Sequence, residues 1–128
     1  MRNLNILVVD DEEDIREMLL MVLENAGMNA TAVATAEEAQ QSLAEAAVDL
    51  LVLDWMLPGI SGIEMTKRLK KDARFNGLPI ILLTARAEKY DRISAFEAGV
   101  NDYITKPFSP RDLIVRIKSA INISKNLH

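Results

Sequence analysis

Apolar positions divide this chain into short continuous runs alternating with longer periodic stretches. The run Asn5 to Asp10 (NILVVD) is apolar and too short for a helix. After it, Ile15, Met18, Leu19, Val22, Leu23 and Ala26 recur at helical spacing, and Gly27 is placed to end that helix as its C′ residue. Asn29 to Ala34 predicts a weak strand of small residues, suited to a sheet edge, and Thr35 and Glu38 stand at capping-box spacing before a second helix. Asp49 to Asp54 (DLLVLD) and Pro79 to Thr84 (PIILLT) are apolar on both faces, the pattern of central parallel strands covered by helices on each side. Between them Ser61 and Glu64 cap a third helix running to about Asp72. A fourth helix is predicted from about Glu88 to Ala98, stopped by Gly99, followed by a short strand near Asp102 to Thr105. Ser109 is then an N-cap, Pro110 takes the favoured first helical position, and Leu113, Ile114, Ile117, Ala120 and Ile121 form the buried stripe of the last helix.

Strand and helix alternate five times, which predicts an α/β fold with a doubly wound, five-stranded parallel sheet. At 128 residues the chain fits one domain, expected over residues 1–124, with 125–128 as a C-terminal tail or the start of a linker. Composition narrows the chemistry. There is no cysteine, and the single histidine is His128, so thiolate and histidine catalysis are set aside. A net charge of −4 argues against direct nucleic-acid binding, which calls for a clustered basic surface. The sequence shows no basic leader and no apolar stretch near the roughly 20 residues of a membrane span, so a cytoplasmic location is expected, with no membrane contact.

In a sheet of this kind, sites form beyond the carboxyl ends of the strands. Those ends carry Asp10 and Asp11, then Asp54, then Thr84, and the last strand leads into Lys106 and Pro107. Converging carboxylates repel one another, and a hard divalent cation with oxygen ligands is the simplest relief, with magnesium the natural choice. Taken singly, each residue has a plain structural explanation: an aspartate at a strand-to-helix junction is commonly an N-cap, and a lysine there a solvated charge. Four strand ends with compatible groups make the chemical reading the stronger one.

The motifs VVDDE (Val8 to Glu12), LDWMLPGISG (Leu53 to Gly62), LTAR (Leu83 to Arg86) and AGVNDYITKPF (Ala98 to Phe108) span nearly the whole chain. With these motifs the sequence resembles the receiver domains of two-component response regulators, and within them the OmpR/PhoB subclass. The resemblance implies a flavodoxin/CheY-like sheet of strand order 2-1-3-4-5. It implies that Asp54 is the phosphoacceptor, taking a phosphoryl group from a sensor histidine kinase, with Thr84 and Lys106 assisting. Mg2+ would be bound by Asp11, Asp54 and the backbone carbonyl of Met56, with Asp10 acting through water. Thr84 and Tyr103 would form the switch, the Tyr103 ring turning inward after Thr84 moves towards the phosphoryl group. Pro107 would follow a cis peptide bond that aims Lys106 into the site, and the small Ala85 would leave the site open to the donor.

The resemblance also implies a phosphorylation-promoted homodimer through the face made by the fourth helix, fifth strand and fifth helix. There Arg92 would pair with Asp112, and Asp102 with Arg116, around Ile93, Phe96 and Val115. Two positions depart from the subclass pattern: Asn101 stands where an aspartate is usual and Ile123 where its arginine partner is usual. One expected pair is therefore missing.

The function expected is a signalling switch controlling an output such as transcription, not an enzyme. A stand-alone receiver acting by docking, and a pseudo-receiver binding module, are the alternatives. An aspartyl-nucleophile phosphatase of the haloacid dehalogenase type would need an acidic residue two positions after the nucleophile, where this chain has Met56. A flavodoxin-like cofactor binder would need a Gly/Ser/Thr-rich phosphate loop after the first strand, and none follows.

Overall fold

The computed structural model describes residues 3–126, with side chains to residue 123. Ten elements follow in strict alternation: β1 (Asn5–Val9), α1 (Glu13–Asn25), β2 (Asn29–Val33), α2 (Ala36–Glu45), β3 (Leu50–Leu53), α3 (Gly62–Lys71), β4 (Ile80–Thr84), α4 (Lys89–Ala98), β5 (Asp102–Thr105) and α5 (Pro110–Asn126). The strands form one parallel sheet in the order β2-β1-β3-β4-β5. α5 runs through Asn126, past the domain boundary expected at 124; His128 lies outside the described residues.

The central strands are buried on both faces because alternate residues enter two different cores. Leu7, Val9, Leu51, Leu53, Ile80 and Leu82 pack with Ala39, Leu43, Met65, Leu69 and Ala95 from α2, α3 and α4. Ile6, Val8, Leu50, Val52, Ile81 and Leu83 pack with Leu19, Leu23, Leu113 and Ile117 from α1 and α5. A period-2 strand sandwiched between helices therefore reads as a continuous apolar run. β2 is the small-residue edge strand that its sequence predicts.

Caps fall where expected. Thr35 Oγ1 accepts from the Glu38 backbone N–H while the Glu38 carboxylate accepts from Ala34 N–H, and Ser61 and Ser109 accept from Glu64 and Asp112. Gly27 and Gly99 take left-handed conformations at helix ends, φ +83° and +115°. α1 departs from the expected apolar face. Only Leu19 and Leu23 are buried; Ile15 and Val22 are half-covered, and Met18 and Ala26 are exposed. The α1 contribution to the α5-side core is thus Leu19 and Leu23, with Ile15 packed at its margin.

Candidate functional site

The parallel register determines which side chains meet. Val9 pairs with Leu53, so Asp10 and Asp54 leave the sheet as neighbours, and Asp54 N–H donates to the Val9 carbonyl. Thr84 pairs with Thr105, which brings Lys106 to the same rim. The Lys106–Pro107 peptide bond is cis, as the resemblance implies. Lys106 Nζ donates to Asp10 Oδ2 at 2.8 Å and to Asp54 Oδ2 at 2.9 Å, and lies 3.5 Å from Glu12 Oε1. Asp10 and Asp54 are 2% and 4% exposed, so one nearly buried ammonium serves two buried carboxylates.

Backbone donors fix both carboxylates. Glu12 N–H donates to Asp10 Oδ1, and Met56 N–H donates to Asp54 Oδ1. Burial pushes the Asp10 carboxyl above its ordinary value, prevailing over the hydrogen bonds from Lys106 and Glu12 that pull it down. Burial alone would lower the Lys106 ammonium; its hydrogen bonds to Asp10 and Asp54 prevail and hold it above its ordinary value. A single cation is thus divided between two anions, and the site keeps a surplus of negative charge.

Oxygens of Asp10, Asp11, Glu12 and Asp54 lie within 4.8 Å of one another, with Asp11 and Glu12 exposed at the mouth. This all-oxygen donor set, still short of positive charge after Lys106 is counted, fits a hard cation that retains water ligands. Sequence reading assigned Asp10, Asp11 and Asp54 to this cluster and missed Glu12, whose place just after a double aspartate was the available signal.

Beneath Asp54, Gly62 opens α3 so closely that a Cβ there would overlap the Asp54 carbonyl oxygen. Thr84 is fully buried, its Oγ1 3.4 Å from Arg86 N–H, while Ala85 is exposed. Tyr103 of β5 lies among the core residues. It is 1% exposed, and its hydroxyl donates to the Arg86 carbonyl at 2.6 Å. The ring thus lies inward. Burial raises the Tyr103 phenol above its ordinary value.

On the expected contact face, Ile93, Phe96 and Val115 are exposed at 44%, 49% and 60%. The charges there are engaged within the chain. Arg116 donates to Asp102 at 2.7 Å and to Asp112 at 3.0 Å, and the Arg92 guanidinium lies 5.1 Å from the Tyr103 ring centroid. The pairing of Asp102 with Arg116 expected between two copies is therefore satisfied inside one. Asn101 is equally committed, its N–H donating to the Ile80 carbonyl and its Oδ1 accepting from Ile80 N–H. Ile123 is exposed.

A five-stranded 2-1-3-4-5 sheet whose rim joins two buried aspartates to a lysine is the architecture of a phosphoacceptor domain. Residues 6–118 match the response regulator receiver domain family, and the chain belongs to that family. Among curated proteins it is 47% identical over 116 residues to the phosphate regulon transcriptional regulatory protein PhoB of Pseudomonas aeruginosa, covering 91% of this chain and 51% of that protein. It is 42% identical over 120 residues to PhoB of Rhizobium meliloti, covering 94% and 53%. The chain thus spans about half the length of the curated relatives it matches.

Among solved structures, a putative response regulator from Chloroflexus aurantiacus superposes with a TM-score of 0.90 at 39% identity, covering 94% of this chain and 99% of that one. A CheY-like receiver domain protein from Methanospirillum hungatei gives 0.90 at 28% identity, covering 99% and 100%. The chain is accordingly a phosphoacceptor signalling domain of two-component systems, a regulatory module and not a classical enzyme. Among the described residues no helix is long and apolar enough to cross a membrane.

Proposed function

We propose that Asp54 is the phosphoacceptor and that it works in the cytoplasm with Mg2+ and a sensor histidine kinase. The Asp54 carboxylate attacks the phosphorus of a kinase phosphohistidine; the new O–P bond forms as the N–P bond breaks, and the imidazole leaves with the electron pair. The observation that carries this reading is the geometry of Asp54 itself: buried, held at one oxygen by Met56 N–H and at the other by Lys106. A carboxylate fixed at both oxygens loses little freedom on reaching an in-line geometry, and Lys106 lies where charge on a transferred phosphoryl oxygen needs a partner. Mg2+ held by Asp11, Asp54 and the Met56 carbonyl, with Asp10 acting through water, would supply further neutralisation of phosphoryl oxygen charge.

Thr84 is proposed to bond a second phosphoryl oxygen through its hydroxyl, which makes few competing contacts. Tyr103, buried with its hydroxyl on the Arg86 carbonyl, is proposed to act by stabilising one packing of the α4-β5-α5 face. That face is proposed to form a homodimer on phosphorylation, through Ile93, Phe96 and Val115, with Arg116 exchanging intrachain for interchain partners and Arg92 reaching Asp112 of the other copy. The output proposed is control of transcription, by similarity to the PhoB proteins.

Intact mass after incubation with acetyl phosphate and magnesium tests the acceptor. Gain of one phosphoryl group in the wild type, and none in Asp54→Asn or without magnesium, is expected. Incorporation into Asp54→Asn at the wild-type level would sink the assignment. Light scattering of the phosphorylated protein tests the dimer, and an unchanged monomer mass at full phosphorylation would refute it.

A further inference from the structure

α4 is weakly attached to the rest of the molecule. Its N-cap residue, Glu88, makes no side-chain hydrogen bond, and only Asp91 and Ala95 of its ten residues are buried. One of the two buried anchors of the helix is thus a carboxylate, and what holds it is Arg86. Asp91 Oδ1 accepts from Arg86 Nη2 at 2.7 Å, with 12% of the Asp91 side chain exposed.

Arg86 in turn touches the acceptor region from three directions. Its guanidinium carbon lies 4.2 Å from the centroid of the Trp55 ring, the residue directly after Asp54. Its Nη1 is 3.7 Å from Sδ of Met56, whose N–H holds Asp54. Its carbonyl accepts the Tyr103 hydroxyl. Arg86 Nε is buried and, among the described residues, has no hydrogen-bond partner. This guanidinium, with one N–H orphaned, is held in its position by the carboxylate of Asp91, the face of Trp55 and the weak contact with Met56 Sδ. Without Asp91 it has little reason to remain there. Arg86 also holds the Asp91 carboxyl below the ordinary carboxylate range.

We propose that Asp91 is a positioning residue for the acceptor site: by holding Arg86 over Trp55 it ties the first turn of α4 to the loop that follows Asp54. This rests on the reading of Asp54 as phosphoacceptor and adds to it a second line of communication. Displacement of the Asp54–Met56 segment is then passed to α4 through an ion pair, beside the route through Thr84 and Tyr103. A planar guanidinium suits the task because it can stack on an indole and hydrogen-bond a carboxylate together, which an ammonium does not.

The test compares the wild type with Asp91→Asn and Asp91→Glu, each with and without acetyl phosphate and magnesium. Intact mass reports whether Asp54 is phosphorylated, so failure of the acceptor reading shows separately. Trp55 is the only tryptophan of the chain, so its emission reports the Arg86 stack directly. Hydrogen exchange over residues 89–98 reports α4. Asp91→Asn is expected to take up the phosphoryl group, to shift resting Trp55 emission, and to speed resting α4 exchange by up to about fivefold. It should also lose most of the change in α4 exchange that phosphorylation produces in the wild type, and Asp91→Glu should restore much of it. Wild-type emission together with a wild-type phosphorylation response in Asp91→Asn would overturn the proposal. If Asp91→Asn does not fold, Arg86→Lys, which keeps the charge and loses the planar stack, carries the same expectations and the same refutation. If no form is phosphorylated, resting emission and exchange decide: no change in either on substitution overturns the tether.

Discussion

Replacing Lys106 by methionine isolates the charge on which the site rests. Methionine keeps much of the lysine stem and deletes the ammonium that lies 2.8 Å from Asp10 and 2.9 Å from Asp54. Both carboxylates are buried, at 2% and 4% exposure, and removing one partner of a buried ion pair costs about 3–5 kcal/mol. The chain has one escape, uptake of a proton by a carboxyl. At pH 7 protonating an ordinary carboxyl costs roughly 4 kcal/mol, three pKa units at about 1.4 kcal/mol each, and at pH 5 about 1.5 kcal/mol. The expected loss of stability is therefore about 3–4 kcal/mol near neutrality and no more than about 1.5 kcal/mol at pH 5.

The sign follows from Asp10, whose folded-state carboxyl is already raised by burial and rises further when Lys106 is gone. A carboxyl raised in the folded state contributes stability that is complete below its unfolded pKa of about 3.9 and is lost as pH rises through the folded value. The variant should therefore weaken towards neutral pH. Urea unfolding in the presence of a chelator measures it. With a slope of about 2 kcal/mol per molar urea, the midpoint should fall by about 1.5–2 M at pH 7.5 and by less than about 0.8 M at pH 5. Equal shifts at the two pH values would show that Lys106 stabilises the fold through its stem and would refute the electrostatic account.

Three further outcomes are expected. Gly62→Ala forces a methyl group against the Asp54 carbonyl, so unfolding experiments should record a loss of about 1–3 kcal/mol and intact mass a slower phosphoryl gain; a wild-type rate would show that the Asp54 backbone tolerates displacement. Tyr103→Phe leaves the Arg86 carbonyl without its 2.6 Å hydrogen bond and should cost about 1 kcal/mol in urea unfolding, and an unchanged midpoint would show that water replaces the hydroxyl. Magnesium should raise the unfolding midpoint at pH 7.5 and progressively less towards pH 4, because protons compete for the raised Asp10 carboxyl; a pH-independent increment would place the ion away from Asp10.

Much of this architecture was legible in the sequence because its signals are local. The doubly apolar runs at Leu50–Leu53 and Ile80–Thr84, the capping residues Thr35, Ser61 and Ser109, and the glycines after α1 and α4 each report a backbone state within a few residues. The chemical rim was legible for the same reason: its residues sit at strand ends. What escaped depends on packing across distance. Asp91 looks like an ordinary surface carboxylate of a helix, and nothing near it shows that it binds an Arg86 stacked on Trp55. The spacing around Met18 is that of a buried stripe, yet the core reaches only Leu19 and Leu23. The charges at Asp102, Asp112 and Arg116 fit pairing between copies as well as within one, and only coordinates reveal the intrachain arrangement.

The pairing of Val9 with Leu53 and of Thr84 with Thr105 has a consequence for how native protein can be recognised. Successive residues of a strand point to opposite faces, so a slip of one residue between β1 and β3 would turn Asp10 away from Asp54, and one between β4 and β5 would carry Lys106 from both. Such a misthreaded chain would keep its helices, its compactness and most of its far-ultraviolet signal, and it would be chemically silent. Phosphoryl uptake therefore doubles as an audit of strand alignment: in a refolded preparation, the fraction of chains that accept the group counts those whose sheet has closed in register.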